Sequence, residues 1–363
     1  MQQLQLETRV PSQLHSIFVG PLSRKVSTTR IAIMSQTEHC TQLPIQVFPL
    51  DVSRDLPEVT RVWNAALPRY PLPAESLEKL LPKPNAHHLV ARMDSTIVGF
   101  SLSYTSDYPG PSGYLTVLAV HPERQGQGVG TTLVAETLAW FRSAFEPCNL
   151  ILGSSFPRFW PGVPTDLSPG VLEFFARRGF HIRPPTPRAV DLYRDIREYQ
   201  APEKYVVRAK EGGYTFAPLQ PEHYAECLEG QKRNFSYNPA WVDMFFQLDP
   251  KEHPSSIMAA FDPRGKQVGW TLMLSPASRV LQENWALPPL CGPKTGLIGC
   301  VGIDKDARGT GIGVALVSHA VENMRGRGIE GVFVDWVSME GYYEKLGFEV
   351  WRSYRVGEIS PSS

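Results

Sequence analysis

The sequence predicts an α/β protein made of two copies of one plan, each a mixed β-sheet covered by helices. Three observations carry that prediction. Paired apolar segments around turn residues recur at 87–104 and 255–274. Each pair is followed by a strand that runs into a glycine loop and then a helix, and each copy closes on a strand and a short segment ending in Gly-Phe. Helices alternating with strands require helices packed on a sheet, because neither element can bury its apolar side alone. The 363 residues suffice for two domains at ~100–200 residues apiece.

The elements follow in order. IQVFPLDVSRDLPEVTRVWNAAL (45–67) reads as a strand and a helix, and YTFAPLQPEHYAECLEGQKRNF (214–235) as their counterparts. The two hairpins turn at Asp94-Ser95 and at Asp262-Pro263-Arg264-Gly265. The next strands are YLTVLAV (114–120) and LIGCVGI (297–303), and the glycine loops and helices are 125–141 and 308–324. NLILGSS (149–155) and GVFVDWV (331–337) are further strands, followed by short helices at FFARRGF (174–180) and YYEKLGF (342–348). The copies stand 170 residues apart at Val-Gly (98 to 268), 183 at the loops (125 to 308) and 168 at Gly-Phe (179 to 347). Similar offsets in one order indicate a duplicated domain. Residues 184–203 read as a strand and a linker, which sets the expected domains at 45–198 and 199–363.

Composition excludes several classes. Lys+Arg and Asp+Glu are both 36, so a net charge of zero gives no electrostatic reason for a nucleic-acid or anionic-membrane partner. No apolar run nears the ~20 residues needed to span a bilayer. The five cysteines, Cys40, Cys148, Cys227, Cys291 and Cys300, are widely spaced with no CxxC pair, which fits a reducing compartment without disulfides or zinc. No HxxxH or HExxH occurs, so no metal is expected. Residues 1–44 are expected to be a disordered leader. Within it, 1–33 carry one acid (Glu7) against Arg9, Arg24, Lys25 and Arg30. Two readings stand: a mitochondrial transit peptide, or a dispensable leader with Met34 as the working start of a cytoplasmic protein.

Both loops space their glycines as GxGxG: Gly126, Gly128, Gly130 and Gly309, Gly311, Gly313. At a helix start the first N–H groups lack intrahelical partners and the helix dipole is positive, so a glycine-lined backbone there suits a pyrophosphate. A P-loop is excluded because no Lys follows, and neither loop has the GxGxxG of a dinucleotide fingerprint. One such turn alone could be mere clash relief, but two in equivalent places argue for a ligand.

Gln125-Gly126-Gln127-Gly128-Val129-Gly130 and Arg308-Gly309-Thr310-Gly311-Ile312-Gly313 match Q/R-x-x-G-x-G/A, and the chain here resembles the GNAT superfamily of acetyl-CoA-dependent N-acetyltransferases. The resemblance covers about residues 45–360 and implies two tandem GNAT-type mixed-sheet α/β sandwich domains. It also implies that the loop amides hold the coenzyme A pyrophosphate. Backbone at Leu118 and Val120, or at Val301 and Ile303, would then pair with the pantetheine arm. The superfamily often protonates the thiolate with a Tyr four residues before the Gly-Phe glycine. That position is Tyr343 in the second copy and Phe175 in the first, which has no proton to give. The second copy is therefore expected to be catalytic and the first not.

Asp335 breaks an apolar strand where the superfamily's strands splay. It reads as a base or amine anchor, or else as half of a salt bridge to a nearby Arg. Cys300 reads as a small buried thiol rather than an acyl carrier. The loop GSSFPRFWPGVP (153–164), with Trp160, and the segment holding Trp336 and Tyr342 offer flat faces for a sugar ring. They are similar to tandem glucosamine/glucosaminide N-acetyltransferases, which implies direct attack by an amino-sugar nitrogen on acetyl-CoA in a ternary complex. Another small amine, or a non-catalytic acetyl-CoA-binding role, is the alternative. The assembly expected is a monomer or homodimer.

Overall fold

The chain enters its first sheet on β1 (Gln46–Pro49), and the Asp51 carboxylate then caps α1 (Val52–Ala66) by accepting the Ser53 N–H at 3.1 Å. Val59, Val62 and Trp63 of that helix are fully buried, an i, i+3, i+4 stripe. After α2 (Ala74–Leu80) come β2 (Leu89–Met93) and β3 (Thr96–Ser106). Asp94 and Ser95 join them at φ 48° and 66°, the positive values that a two-residue hairpin turn requires. β4 (Ser112–Val120), α3 (Val129–Ala144) and β5 (Asn149–Leu152) form a crossover whose two strands pair in parallel. β6 (Val163–Pro164), α4 (Gly170–Ala176), β7 (His181–Ile182) and β8 (Val190–Asp195) follow. This computed structural model describes residues 44–107, 110–144, 149–236 and 238–360. The expected leader, apart from Pro44, lies outside the described residues, as do Cys40 and Cys148.

The second copy repeats the order. α5 (Glu203–Glu211), β9 (Thr215–Pro218), α6 (Tyr224–Asn234), α7 (Pro239–Phe246) and α8 (His253–Ser256) lead to the hairpin β10 (Ile257–Phe261) and β11 (Gln267–Leu274). Then come α9 (Arg279–Asn284), β12 (Thr295–Ile303), α10 (Ile312–Gly326), β13 (Gly331–Val337), β14 (Glu349–Arg355) and β15 (Gly357–Ile359). β12 and β13 are again parallel.

The sheets do not respect the boundary expected at 198. The strand order is β1-β2-β3-β4-β5-β15-β7 in one sheet and β6-β14-β8-β13-β12-β11-β10-β9 in the other. β15, the last strand, thus completes the first sheet. β8 and β6, from before the boundary, complete the second. Each exchanged strand fills a place that would otherwise be an open edge, and each ties one copy to the other.

Two local expectations are also corrected. β5 stops at Leu152 rather than 155, because Gly153 turns the chain away at φ 120° after donating its N–H to the Leu115 carbonyl at 3.1 Å. YYEKLGF forms a single tight 3-10 turn (Tyr343–Leu346) rather than an α-helix, closed by Gly347 at φ 74°.

α10 covers one face of the second sheet and α3 one face of the first, each over its own apolar cluster. The opposite faces share one continuous core. It runs from Trp63 and Leu77 through Phe159 and Trp160 to Leu228, Phe245, Leu281 and Trp285. Among the described residues no helix is long and apolar enough to cross a membrane.

Candidate active site

The two glycine loops have nearly the same backbone. Gly126 and Gly128 stand at φ 75° and 90°, Gly309 and Gly311 at 79° and 92°. A side chain at any of these positions would be strained, which is why the loops need glycine. Gln125 donates its amide N–H to the Val120 carbonyl at 3.1 Å, and Arg308 donates Nε to the Ile303 carbonyl at 2.9 Å. In both copies, then, a long side chain ties the loop to the end of the preceding strand. α10 starts with no side-chain cap, so the N–H groups of Gly311, Ile312 and Gly313 face the loop without backbone acceptors. Such an uncapped start favours an anion.

Beyond the loops the copies diverge. β12 and β13 pair only as far as Leu297 and Phe333, and then separate. β12 bulges there against β11, with Cys300 at φ 51° and the Thr271 hydroxyl donating to the Gly299 carbonyl at 3.0 Å. A cleft of about 810 Å³ opens along this line. It runs from Arg308, Gly309, Gly311 and Gly313 past Gly299, Cys300, Val301 and Ile303 to Asp335, Trp336, Tyr342 and Tyr343. Thr310 and Ile312 belong to the loop but do not line the cleft. Tyr342 packs over the helix start, close enough that a Cβ on Gly313 would meet its hydroxyl at 2.8 Å.

Tyr343 is 7% exposed and stacks edge-on with Tyr342 and Phe348. Burial pushes its phenol well above the ordinary value, helped by Tyr342 and by the negative Asp335, so the hydroxyl keeps its proton. Burial likewise pushes the Cys300 thiol up, which makes it a poor nucleophile. Cys227, Cys291 and Cys300 are free thiols.

Asp335 has the arginine partner that one of its two readings required, and that partner comes from the other copy. Arg158 Nε lies 3.5 Å from Asp335 Oδ2. The guanidinium is held between the rings of Phe156 and Trp336, 4.4 and 4.2 Å from their centroids. Asp191, on the exchanged strand β8, supports this corner from beneath. It accepts the Trp336 N–H at 2.8 Å and the Tyr354 hydroxyl at 2.6 Å, fixing Trp336 at φ 47°. Desolvation raises the Asp191 carboxyl to about 7, with neighbouring Asp335 adding to the rise.

The first copy has filled the equivalent opening. Leu115 and Leu152 are the last pair between β4 and β5, and the next carbonyl, Thr116, accepts the indole N–H of Trp160 at 2.9 Å. Trp160 is 6% exposed and packed among Trp63, Tyr70 and Phe159. Its indole N–H has a buried partner and its ring is largely enclosed, so Trp160 does not line the large cleft, but it lines a small cavity beside it together with Arg158, Asp191, Asp335 and Trp336. Leu118 and Val120 pair with Ser101 and Gly99 along β4. At the next turn Arg178 lies over the Phe174 ring and donates to Thr131 in the first turn of α3, where the second copy has the buried Leu346.

The family scan matches the acetyltransferase (GNAT) family at residues 56–152 and again at 221–348. The chain belongs to the GNAT family. It is an acetyl-CoA-dependent N-acetyltransferase with tandem GNAT regions. The mycothiol acetyltransferase of Nocardia farcinica (strain IFM 10152) is 27% identical over 273 residues, 72% of this chain and 79% of that protein. A solved GCN5-related glucosamine N-acetyltransferase region of a fungal multi-domain GH3 beta-N-acetylglucosaminidase superposes with a TM-score of 0.80 at 28% identity over 87% of this chain. This chain spans 38% of that fungal protein. A tandem GNAT protein from the clavulanic acid biosynthesis pathway shares the fold at a TM-score of 0.59 and 16% identity, covering 88% of this chain and 99% of its own.

In this GNAT chain Phe156 and Arg158, from the loop 153–164 that the sequence singled out, line the large cleft, and so do Asn238, Trp241 and Trp285, which sequence reading did not single out. Arg158 carried a weak signal, a lone cation inside the aromatic run FPRFW. Trp241 and Trp285 carried none that separates them from core aromatics. Among the described residues no group of three His, Cys, Asp or Glu side chains is placed to hold a metal ion.

Proposed function

We propose that turnover occurs in the second copy and that its acceptor is an amino sugar, either glucosamine or the glucosaminyl end of a chitosan fragment. One observation carries the reading: the cleft joins an uncapped glycine-loop helix start to an aromatic wall with an acid and a phenol between them. The likeness to the glucosamine N-acetyltransferase region supports the acceptor class.

The coenzyme A pyrophosphate lies on the amides at 309–313. The pantetheine arm follows the free edge of β12 at Val301 and Ile303. The acceptor enters over Trp336, and its uncharged amine attacks the thioester carbonyl. Backbone N–H groups near Val301–Ile303 receive the charge that builds on oxygen. The C–N bond forms, the C–S bond breaks, and Tyr343 gives its proton to the departing thiolate. A phenol held protonated by burial is suited to that task. The proton left on nitrogen passes to solvent and restores the phenol. Asp335, already paired with Arg158, acts as an anchor for the amine.

An amine panel scored by chromatographic release of coenzyme A tests the reading. Glucosamine or glucosaminyl-ended oligomers should give the highest kcat/KM. A better polyamine or arylalkylamine would overturn the acceptor, and the failure of every amine to release coenzyme A would leave only acetyl-CoA binding. The bacterial relatives named as mycothiol acetyltransferases favour a second reading, a thiol-bearing amino-sugar acceptor, and such a compound is one arm of the panel.

A further inference from the structure

The acceptor end of the cleft holds an unsatisfied donor beside an unsatisfied acceptor. Arg158 Nε is buried and has no hydrogen-bond partner, and its 3.5 Å separation from Asp335 Oδ2 is an ion pair too long to be a bond. Asp335 accepts no hydrogen bond among the described residues, although its side chain is only 18% exposed. Buried charges in this state are costly, and a ligand that bonds both relieves the cost.

The arginine is also fixed in place. Its backbone N–H donates to the Asn284 carbonyl at 2.6 Å and its own carbonyl accepts the Ala286 N–H at 2.9 Å, so the loop is laced to the end of α9. Nη1 reaches the Ser154 carbonyl at 3.4 Å, and the guanidinium carbon lies over the rings of both Phe156 and Trp336. A planar donor edge held in this way reads the position of an oxygen rather than bulk shape.

We propose that Arg158 is a specificity-determining residue that selects amines bearing a hydroxyl on the neighbouring carbon. Asp335 accepts an N–H of the reacting amine while the Arg158 edge donates to the adjacent oxygen. The two charged groups are side by side, as the nitrogen and oxygen of a 1,2-amino alcohol are. The first copy, which lacks the phenol, thus supplies the residue that chooses the acceptor for the second. This rests on the reading of the second copy as the site of acetyl transfer.

The test compares trans-2-aminocyclohexanol with cyclohexylamine, two ring amines that differ in that hydroxyl. The full chain should favour the amino alcohol by about 10-fold or more in kcat/KM, the effect of one hydrogen bond to a charged group. Arg158→Gln should collapse that ratio toward one, mainly through KM for the amino alcohol. A purely structural defect would lower both substrates together and keep the ratio. Asp335→Asn should depress both amines, and its ratio gives a second reading if Arg158→Gln does not fold. Equal rates for the two amines in the unaltered chain, or an unchanged ratio in Arg158→Gln, would refute the assignment while leaving acetyl transfer standing. Acetylation of neither ring amine nor of glucosamine would sink both.

Discussion

Gly128 and Gly311 stand at φ 90° and 92°, each in a loop tied back to its strand by the preceding long side chain. A few residues away the likeness ends. One copy opens into a cleft, and the other closes around Trp160. The closing element is the loop 153–164, and its neighbouring residues Phe156 and Arg158 reach into the other copy's cleft. One loop therefore fills the slot of the first copy and lines part of the cleft of the second. A duplicated fold became asymmetric through a loop, while both glycine turns kept their backbone.

The sharpest way to break the comparison is to exchange the residues at the phenol position. Tyr343→Phe should lower kcat by ~10²–10⁴-fold, the usual contribution of general acid–base catalysis, and change KM for acetyl-CoA little. Phe175→Tyr introduced into that variant should restore nothing, because a phenol there is buried against Phe174 and Phe180 in the first copy's own core. Steady-state kinetics on the two variants decide it. Recovery of activity by the added phenol would mean that the first copy is competent.

How much of this was legible depended on range. The Asp94-Ser95 turn, the glycine loops and the α1 stripe are set by residues within a few positions of one another, and the sequence displays them. The exchange of β8 and β15 is a choice of pairing partner across more than a hundred residues, and no local pattern encodes which sheet a strand joins. The place of Trp160, outside the large cleft but beside Arg158 and Asp335 in a small cavity, was hidden for a related reason. An indole in a proline-rich loop fits a core or a binding face equally well until the Thr116 carbonyl that takes its N–H is known. Asp335 announced itself as an acid in an apolar strand, but its partner Arg158 stands 177 positions earlier, in the other copy.

The glycines give the next largest contrast. Gly128→Val and Gly311→Val impose the same left-handed strain, roughly 1–2 kcal/mol each, so both should lose similar thermal stability. Their kinetics should part. Gly311→Val obstructs the approach to the α10 amides and should raise KM for acetyl-CoA by ~10²-fold, as the loss of one or two charge-assisted bonds does. Gly128→Val should change it little. Calorimetric titration of the unaltered chain should saturate at one acetyl-CoA per chain. Equal rises in KM, or two equivalents bound, would make the first loop a working site.

The smallest effect separates what Trp160 holds together from what it keeps out. Trp160→Phe retains a ring in the core but strips the N–H from the Thr116 carbonyl, leaving a buried acceptor unpaired at a cost of about 1–3 kcal/mol. The melting temperature should fall by several degrees, with acetyl-CoA binding still at one per chain. Trp160→Ala goes further, removing the ring that closes the gap beyond Leu115 and Leu152, and should cost about 3–5 kcal/mol. If that variant, still folded, takes up a second acetyl-CoA without gaining turnover, then closure of the slot and loss of the phenol are separate disabling changes in the first copy. If it binds only one, the Arg178 contact over the first turn of α3 is a second barrier, and Trp160→Ala combined with Arg178→Leu, the residue type that the second copy carries there, is the variant that should remove it.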